Sequence, residues 1–271
     1  MKKALVIFNP VSGHKKWGDA AILLQDLLEK NGYEYTWYET KPKQNLAPLF
    51  AKKYDRIVVS GGDGTVAEVL RAKLNAKLGI NLKTPLVVVP QGSGNLLAMS
   101  LGIPLLQPGR ALEMGLNGTP RTLDIMRVNK THYGTIAVGR GYDAFLMKET
   151  PRQLKRKLGL FAYAWTFFKT ALFYRSQPYE LTIDGARHSV LARSIVVFNI
   201  FPFPLTSIHP DDGLLDVFIL TSRGLLQRHT AKKISIKSDK ELDFQLDGEV
   251  LKSKVVNVEI LPAALSIICK K

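Results

Sequence analysis

Acidic residues are scarce in this 271-residue chain: 23 Asp and Glu stand against 38 Lys and Arg, a formal charge of +15. That balance favours polyanions as partners, whether nucleotides, nucleic acid or an anionic membrane, without choosing among them. Cysteine is nearly missing. Cys269 by itself excludes an intramolecular disulfide and fits a reducing compartment. No apolar run is long enough to span a bilayer, so membrane contact is expected to be peripheral. The opening Lys2-Lys3 followed by Ala4–Phe8 breaks at Asn9-Pro10, too soon for a signal peptide, and reads as a strand. There is no Gly-x4-Gly-Lys-Ser/Thr loop and no Gly-x-Ser-x-Gly elbow. The five histidines, His14, His132, His188, His209 and His229, lack zinc-ligand spacing. Walker-type, serine-hydrolase and zinc chemistry are thereby set aside. No nucleic-acid-binding module is present, so nucleic acid is not an expected partner. Gly139-Arg140-Gly141-Tyr142-Asp143-Ala144 imitates a dinucleotide fingerprint but lies in a strand-rich region without the later acidic residue.

What is present is organised around Ile57-Val58-Val59-Ser60-Gly61-Gly62-Asp63-Gly64-Thr65, which passes at once into Val66–Arg71. A β-branched run, a glycine turn and apolar residues at helical spacing predict strand, turn and helix. Glycines let amides approach a phosphate, and a helix start adds unpaired donors. Asp63 puts a carboxylate there, which suits a bridging cation or a base. A lone Gly-Asp-Gly equally suits a turn whose Asp caps the helix. The surrounding pattern predicts strands Lys3–Phe8, Tyr33–Glu39, Arg56–Ser60 and Leu86–Pro90. Between them fall helices Ala20–Lys30, Gln44–Lys53 and Val66–Lys77, with Leu96–Leu101 last. Such alternation argues βαβ units on a parallel sheet, whose ligands sit beyond the strands' carboxyl ends. Three of those ends carry Asn9-Pro10-Val11-Ser12-Gly13, Gly61–Thr65 and Gln91-Gly92-Ser93-Gly94-Asn95, which together suggest a phosphate cradle.

After Gly118-Thr119-Pro120 the pattern changes to successive strands: Thr122–Val128, Thr131–Val138, Tyr179–Ile183, Val190–Ile200, Leu215–Leu220, Lys233–Lys237, Leu242–Leu246 and Val255–Ile260. The expected fold is α/β plus all-β: an N-terminal α/β domain with a parallel sheet over residues 1–120, and a mainly antiparallel β-sandwich over 121–260. Residues 261–271 form a C-terminal segment free to return to either domain. Asp184-Gly185 and Asp247-Gly248 read as two-residue hairpin turns. A helical insert from Leu158 to Tyr174, preceded by Arg152, Lys155, Arg156 and Lys157, offers a basic and aromatic face to phosphate or membrane; it equally suits a core helix with a solvated end.

Five segments in order, Asn9-Pro10-x-Ser12-Gly13, Gly61–Thr65, Gly92–Asn95, His209-Pro210-x-Asp212-Gly213-x-Leu215-Asp216 and Asp247-Gly248-Glu249, together resemble the diacylglycerol kinase catalytic family. The likeness runs over nearly the whole chain and is strongest to its soluble bacterial lipid kinases, with sphingosine kinases and NAD kinases as relatives. It implies a two-domain kinase that transfers the γ-phosphoryl of ATP, with Mg²⁺, to a lipid hydroxyl, diacylglycerol by default. It assigns Asn9, Pro10, Val11, Ser12, Gly13, Thr40, Gly62, Asp63, Gly64, Thr65, Glu68 and Ser93 to ATP; Lys155 is a candidate phosphate contact, a place that neighbouring Arg156 and Lys157 fit almost as well. Asp247 matches the family's proposed base, beside Glu249, and Asp63 would organise metal and phosphate. Substitution of Asp63 or Asp247 by Asn is expected to stop turnover with the fold intact. His209, Asp212 and Leu214 match a structural Mg²⁺ loop, with carbonyls contributed by His209 and Leu214. The implied setting is cytoplasmic and peripheral to an anionic membrane, in lipid metabolism and phospholipid biosynthesis; the oligomeric state, a homodimer included, stays open. One departure stands out: Leu96 occupies a position where many bacterial members carry Asp. Its alternatives are a sensor of lipid or nucleotide that has lost catalysis, and a kinase for sphingosine, ceramide or monoacylglycerol.

Overall fold

A computed structural model describes residues 1–12, 18–42, 44–76, 83–149, 174–200 and 208–270. The chain divides into two compact units, Met1–Leu123 with Ala263–Lys271, and Asp124–Pro262. The insert expected at 158–174, apart from Tyr174, lies outside the described residues, as do Gly13 and Lys155.

The first unit is built on strands β1 (Lys2–Phe8), β2 (Tyr33–Glu39), β3 (Arg56–Gly61) and β4 (Leu86–Pro90). β1 pairs with β2 on one side and β3 on the other, β3 pairs with β4, and all three pairings are parallel. Helices α1 (Gly18–Lys30), α2 (Asp63–Leu74), α3 (Leu96–Ser100) and α4 (Pro108–Asn117) accompany them. β1, β3 and β4 read as unbroken apolar runs because both faces of the sheet are covered. Ala4, Val6, Phe8, Val58, Val87 and Val89 face Leu24 and Leu28 of α1 and Leu112 and Leu116 of α4 in one buried cluster. Their alternates, Leu5, Ile7, Ile57, Val59, Leu86 and Val88, are equally buried, and α2 packs on β3.

The expected helix Gln44–Lys53 is instead a short 3₁₀ turn, Ala47–Ala51. Pro48 supplies no amide there. The side chains of Gln44 and Asn45 accept from the Lys41 and Ala47 amides, local bonds that compete with a helix.

In the second unit the strands are β5 (Pro120–Val128), which begins in the first unit, β6 (His132–Gly134), β7 (Ala137–Gly141), β8 (Gln177–Ile183), β9 (Ala186–Phe198), β10 (Leu215–Thr221), β11 (Leu226–Ala231), β12 (Lys233–Leu246) and β13 (Glu249–Ile268). One helix, α5 (Tyr142–Glu149), follows β7 directly. Its pairings are antiparallel, but they do not form two separate sheets, as a sandwich would. β9 pairs first with β8 and then with β7, and β12 does the same, so the four strands close a hydrogen-bonded circuit. The two long strands can serve both neighbours because each has a register irregularity, β9 beside Leu220–Thr221 of β10 and β12 between Lys237 and Leu242. Inside lies a core that includes Ile195, Val197, Val217, Ile236, Phe244 and Val256. β13 runs through Pro262, with Ala263 at φ 50°, and its far end pairs Ile267 with Leu86 of β4 in parallel. Among the described residues no helix is long and apolar enough to cross a membrane.

Candidate active site

The first unit brings three loops together at the carboxyl edge of its sheet. Backbone bonds extend the parallel ladder one step beyond the strands: Asn9 N donates to Ser60 O (2.8 Å), Thr40 N to Phe8 O (2.8 Å) and Gln91 N to Gly61 O (2.8 Å). The segments that follow β1, β2, β3 and β4 therefore start level. Asn9 Nδ2 then donates to Thr65 Oγ1 at 2.7 Å, tying the first loop to the start of α2. Asn9 Oδ1 accepts from Val11 N and shapes its own turn. Pro10 and Val11 are exposed, and Ser12 is half-buried. The second and third loops meet backbone to backbone: a Cβ on Gly92 would lie 2.6 Å from Gly62 Cα, and one on Gly62 would lie 3.0 Å from Gly92 Cα and 3.5 Å from Ser12 Oγ. Only glycine allows that approach. Asn95, left-handed at φ 50°, closes the third loop by accepting from Gly92 N (2.8 Å) and donating to Gly92 O (2.6 Å). Gly64, Glu68 and Ser93 are exposed along the rim, and Thr65 is buried.

Asp63 opens α2, but its carboxylate serves α3. Oδ2 accepts from Leu96 N at 3.1 Å and Oδ1 from Leu97 N at 3.2 Å. Burial pushes its carboxyl above the usual carboxylate range, while the amides of Leu96, Leu97 and Asn95 pull back. Leu96 thus enters the site through its amide rather than through a side chain. Two buried polar atoms at these strand ends, Ser60 Oγ and Gln91 Nε2, lack a hydrogen-bond partner among the described residues.

In the second unit the two Asp-Gly turns are a matched pair, with φ of 45° and 92° at Asp184-Gly185 and 48° and 88° at Asp247-Gly248. Both pairs of angles suit type I′ hairpins. Their carboxylates differ. Asp184 accepts only from the amides of Lys232 and Lys233 in the hydrogen bonds observed here. Asp247 accepts from Thr135 N (2.6 Å) and Thr135 Oγ1 (3.1 Å) on one oxygen, and from Ile136 N and Ala137 N (both 2.9 Å) on the other. The link between β6 and β7 is wrapped around it. Gly134 permits this, since a Cβ there would lie 2.4 Å from Leu246 Cδ1. Burial raises the Asp247 carboxyl, opposed by the donors from Thr135, Ala137 and Ile136. Glu249 is exposed at the start of β13.

A second carboxylate reaches the same turn. Asp143, in the first turn of α5, accepts from Gln245 Nε2 at 2.8 Å, and Gln245 Oε1 accepts from Gly248 N at 2.9 Å. Burial pushes the Asp143 carboxyl up to about 6. It lies over Gly139, where a Cβ would collide with its Oδ2. The Gly139-x-Gly141-x-Asp143 string is therefore a strand-to-helix junction fitted around a half-buried acid, which the sequence disguised as a nucleotide fingerprint. Beside it, Tyr142, Phe145 and Tyr174 form an aromatic group with ring centroids 5.3 to 6.2 Å apart. A cavity of about 190 Å³ opens here, lined by Phe145, Lys148, Tyr174, Tyr179, Leu242 and Asp243 among others.

The loop at 209–214 is held by Asp124, which sequence reading missed: Asp124 N donates to Pro210 O (2.7 Å) and Asp124 Oδ2 accepts from Gly213 N (2.6 Å). Asp212 is exposed and Oδ1 accepts from Leu214 N at 2.9 Å. Among the described residues no three His, Cys, Asp or Glu side chains cluster as metal ligands.

Known proteins resemble the chain in sequence and fold. The chain is 26% identical to a diacylglycerol kinase of Bacillus subtilis, over 92% of this chain and 90% of that one. It is 27% identical to a Pectobacterium atrosepticum protein named "Probable lipid kinase YegS-like", over 88% and 87%. A crystal structure of a diacylglycerol kinase from Bacillus anthracis superposes with a TM-score of 0.82 at 23% identity, covering 99% of this chain and 97% of that one, a likeness of fold. Residues 3–128, which carry the three glycine loops, match the family model of the diacylglycerol kinase catalytic domain.

Proposed function

We propose that this protein is a lipid kinase that transfers the γ-phosphoryl group of ATP to a lipid hydroxyl, with diacylglycerol the leading acceptor. The observation that carries the reading is the triple-loop cradle of the first unit, in which Gly62 and Gly92 meet with no room for a side chain. Phosphate oxygens need close, convergent donors, and bare glycine backbone supplies them. Asn9, Ser12, Thr40, Gly62, Gly64, Thr65 and Ser93 are the residues that would hold the nucleotide, and exposed Glu68 lies beyond them on α2.

The donor set fits Mg²⁺. Asp63 accepts from the Leu96 and Leu97 amides, and Asp212 accepts from Leu214 N on one oxygen, with its second oxygen and the His209 and Leu214 carbonyls the candidate ligands of the loop at 209–214. All are hard oxygen donors, and Mg²⁺ commonly takes one or two carboxylates, with water and phosphate completing its shell. When bound, the nucleotide and its cation supply the phosphoryl group and neutralise its charge. The residues' own work is positioning. Asp63 fixes the third loop against α2, and Asn9 fixes the first against Thr65. Asp247, beside Glu249, is assigned to the acceptor hydroxyl, which would replace one of the four donors it now accepts from Thr135, Ile136 and Ala137; little base strength is required of it in a loose phosphoryl transfer. The aromatic-lined cavity beside α5 offers apolar surface to part of a lipid.

The test is transfer of labelled γ-phosphate from MgATP into dispersed diacylglycerol, monoacylglycerol, ceramide, sphingosine and polyprenol, with Asp63→Asn in parallel. One labelled lipid, with transfer reduced at least ~100-fold in the variant, is expected for a group that organises phosphate and metal. Transfer by the variant at the normal rate removes Asp63 from the mechanism. Nucleotide binding without transfer to any lipid replaces the reading with a sensor, the outcome that Leu96 in place of the usual Asp would favour.

A further inference from the structure

The hairpin between β10 and β11 exposes leucine where a solvent-facing turn has no need of it. Leu225 and Leu226 are 61% and 65% exposed, and Leu191 of β9 is 52% exposed. The three are neighbours: Ser222 N donates to Leu191 O at 2.9 Å, and Leu226 pairs with Leu220 across the hairpin. The tip is also held rigid. Thr221 N donates to Leu225 O (2.9 Å), Thr221 Oγ1 bonds both Leu225 O and Leu225 N (3.1 Å each), and Gly224 turns the chain at φ 79°. A stapled turn presents its leucines at little further cost in conformational entropy.

Charge selects what would cover them. Residues 185–194 and 217–231 contain Arg187, Arg193, Arg223 and Arg228, with His188 and His229, and no Asp or Glu. Arg228 is paired with Asp216 (2.7 Å), but Arg223, two residues before Leu225 in the turn, stands exposed. A second copy of the chain docking through the same face would set like charges against each other. An anionic bilayer complements both features, with headgroups for the arginines and hydrocarbon for the leucines.

We propose that the β10–β11 hairpin tip, with Leu191, is a membrane-docking surface that inserts Leu225 and Leu226 into an anionic lipid interface while Arg223 engages its headgroups. The choice of a bilayer rests on the lipid-kinase reading; the surface is defined without it and shares no residue with the glycine cradle or the Asp247 turn.

The experiment is sedimentation of the full chain with phosphatidylcholine vesicles containing about 30 mol % phosphatidylglycerol, an anionic fraction sufficient to attract basic residues. The Leu225→Ser/Leu226→Ser variant is expected to partition roughly tenfold or more weakly, since two side chains lose their apolar burial. Arg223→Glu should lower binding severalfold at low salt, and the melting temperatures should be unchanged. An environment-sensitive dye on Leu225→Cys should shift to the blue with these vesicles, and the same dye on exposed Lys252→Cys should not. Vesicle binding by the double Ser variant at the wild-type level, or a dye at 225 blind to lipid, overturns the proposal. So does a wild-type dimer that this variant dissociates with lipid binding unaltered, which would make the face a contact between copies. Vesicle binding needs no catalysis, so loss of the docking surface and loss of the kinase reading are separable: a protein that docks here yet labels no lipid refutes only the latter.

Discussion

Three ionisable side chains, Lys73 buried and Asp143 and Asp247 half-buried, make distinct demands on the fold. Lys73 on α2 is 1% exposed, and burial lowers its amine to about 8. Between about 8 and 10.5 the unfolded chain keeps a proton that the folded chain has lost, so this group makes stability rise with pH across that window. Below it the charge is buried in the folded state, at a cost on the order of 3 kcal/mol. Lys73→Met should therefore raise the melting temperature at pH 7, with the gain shrinking toward pH 10.5 in paired thermal melts. Asp143 has the opposite sense: its folded carboxyl, at about 6, holds a proton that the unfolded chain has released above about 3.8. Its contribution is favourable below that window and is lost as pH rises through 6. Asp143→Asn should thus stabilise the protein at pH 7, with the difference vanishing near pH 4. Because Asp143 is hydrogen-bonded to the Asp247 turn through Gln245, the same variant is expected to lower activity while gaining stability, which rate assays beside the melts check. Asp247 behaves differently again. Its four accepted bonds leave no place for an amide NH₂, and Asp247→Asn would set donor against donor, costing ~2–4 kcal/mol. The expectation that this variant keeps its fold intact thus meets a physical obstacle, and its activity is interpretable only beside its melting curve.

At the level of elements, close backbone approach is the property most sensitive to a single methyl group. Gly92→Ala places a Cβ 2.6 Å from Gly62 Cα, so one of the two loops must move. A loss of ~1–3 kcal/mol in denaturant titration is expected, together with a larger loss of nucleotide affinity in calorimetry, because the displaced backbone is the cradle itself. Gly115→Ala on α4 is the control. Its Cβ would meet Val87 on β4, so stability should fall by a similar amount with nucleotide affinity unchanged. Some of these elements were legible in the chain. β1, β3 and β4 are apolar runs ending in glycine or proline signals, and the two Asp-Gly turns declared themselves by dipeptide. β11 was not legible, because Leu226-Gln-Arg-His-Thr-Ala231 is a largely exposed edge strand with no apolar alternation. The 3₁₀ turn at Ala47–Ala51 was misread as a helix because its apolar spacing outweighed Pro48.

Across the whole molecule, what the sequence could not disclose is contact between distant positions. That glycine loops follow β1, β3 and β4 is written in the chain; that Gly62 touches Gly92, or that Thr135 donates to Asp247 across 112 positions, is a consequence of pairing register. β13 is the largest instance. Leu261-Pro262 suggests a strand end, since proline cannot donate to a ladder. The strand nevertheless continues to Ile268, and residues 263–271 group with the first unit although their predecessors belong to the second. Leu265, Ile267, Ile268 and Cys269 are buried there, with Ile268 in the cluster formed by β1, β4, α1 and α4. A chain ending at Pro262 would open that cluster and remove Ile267, one of the two parallel partners of Leu86. Losing three large buried side chains at ~2 kcal/mol or more each approaches the entire stability of an ordinary domain. The truncated chain should therefore lose the cradle's protection in amide hydrogen exchange, while Asp124–Pro262, whose internal pairings are retained, keeps slow exchange in β9 and β12. Equal loss in both units would show that they unfold as one. Unaltered protection of β1 and β3 would show that the last strand is dispensable to the sheet that presents the glycine loops.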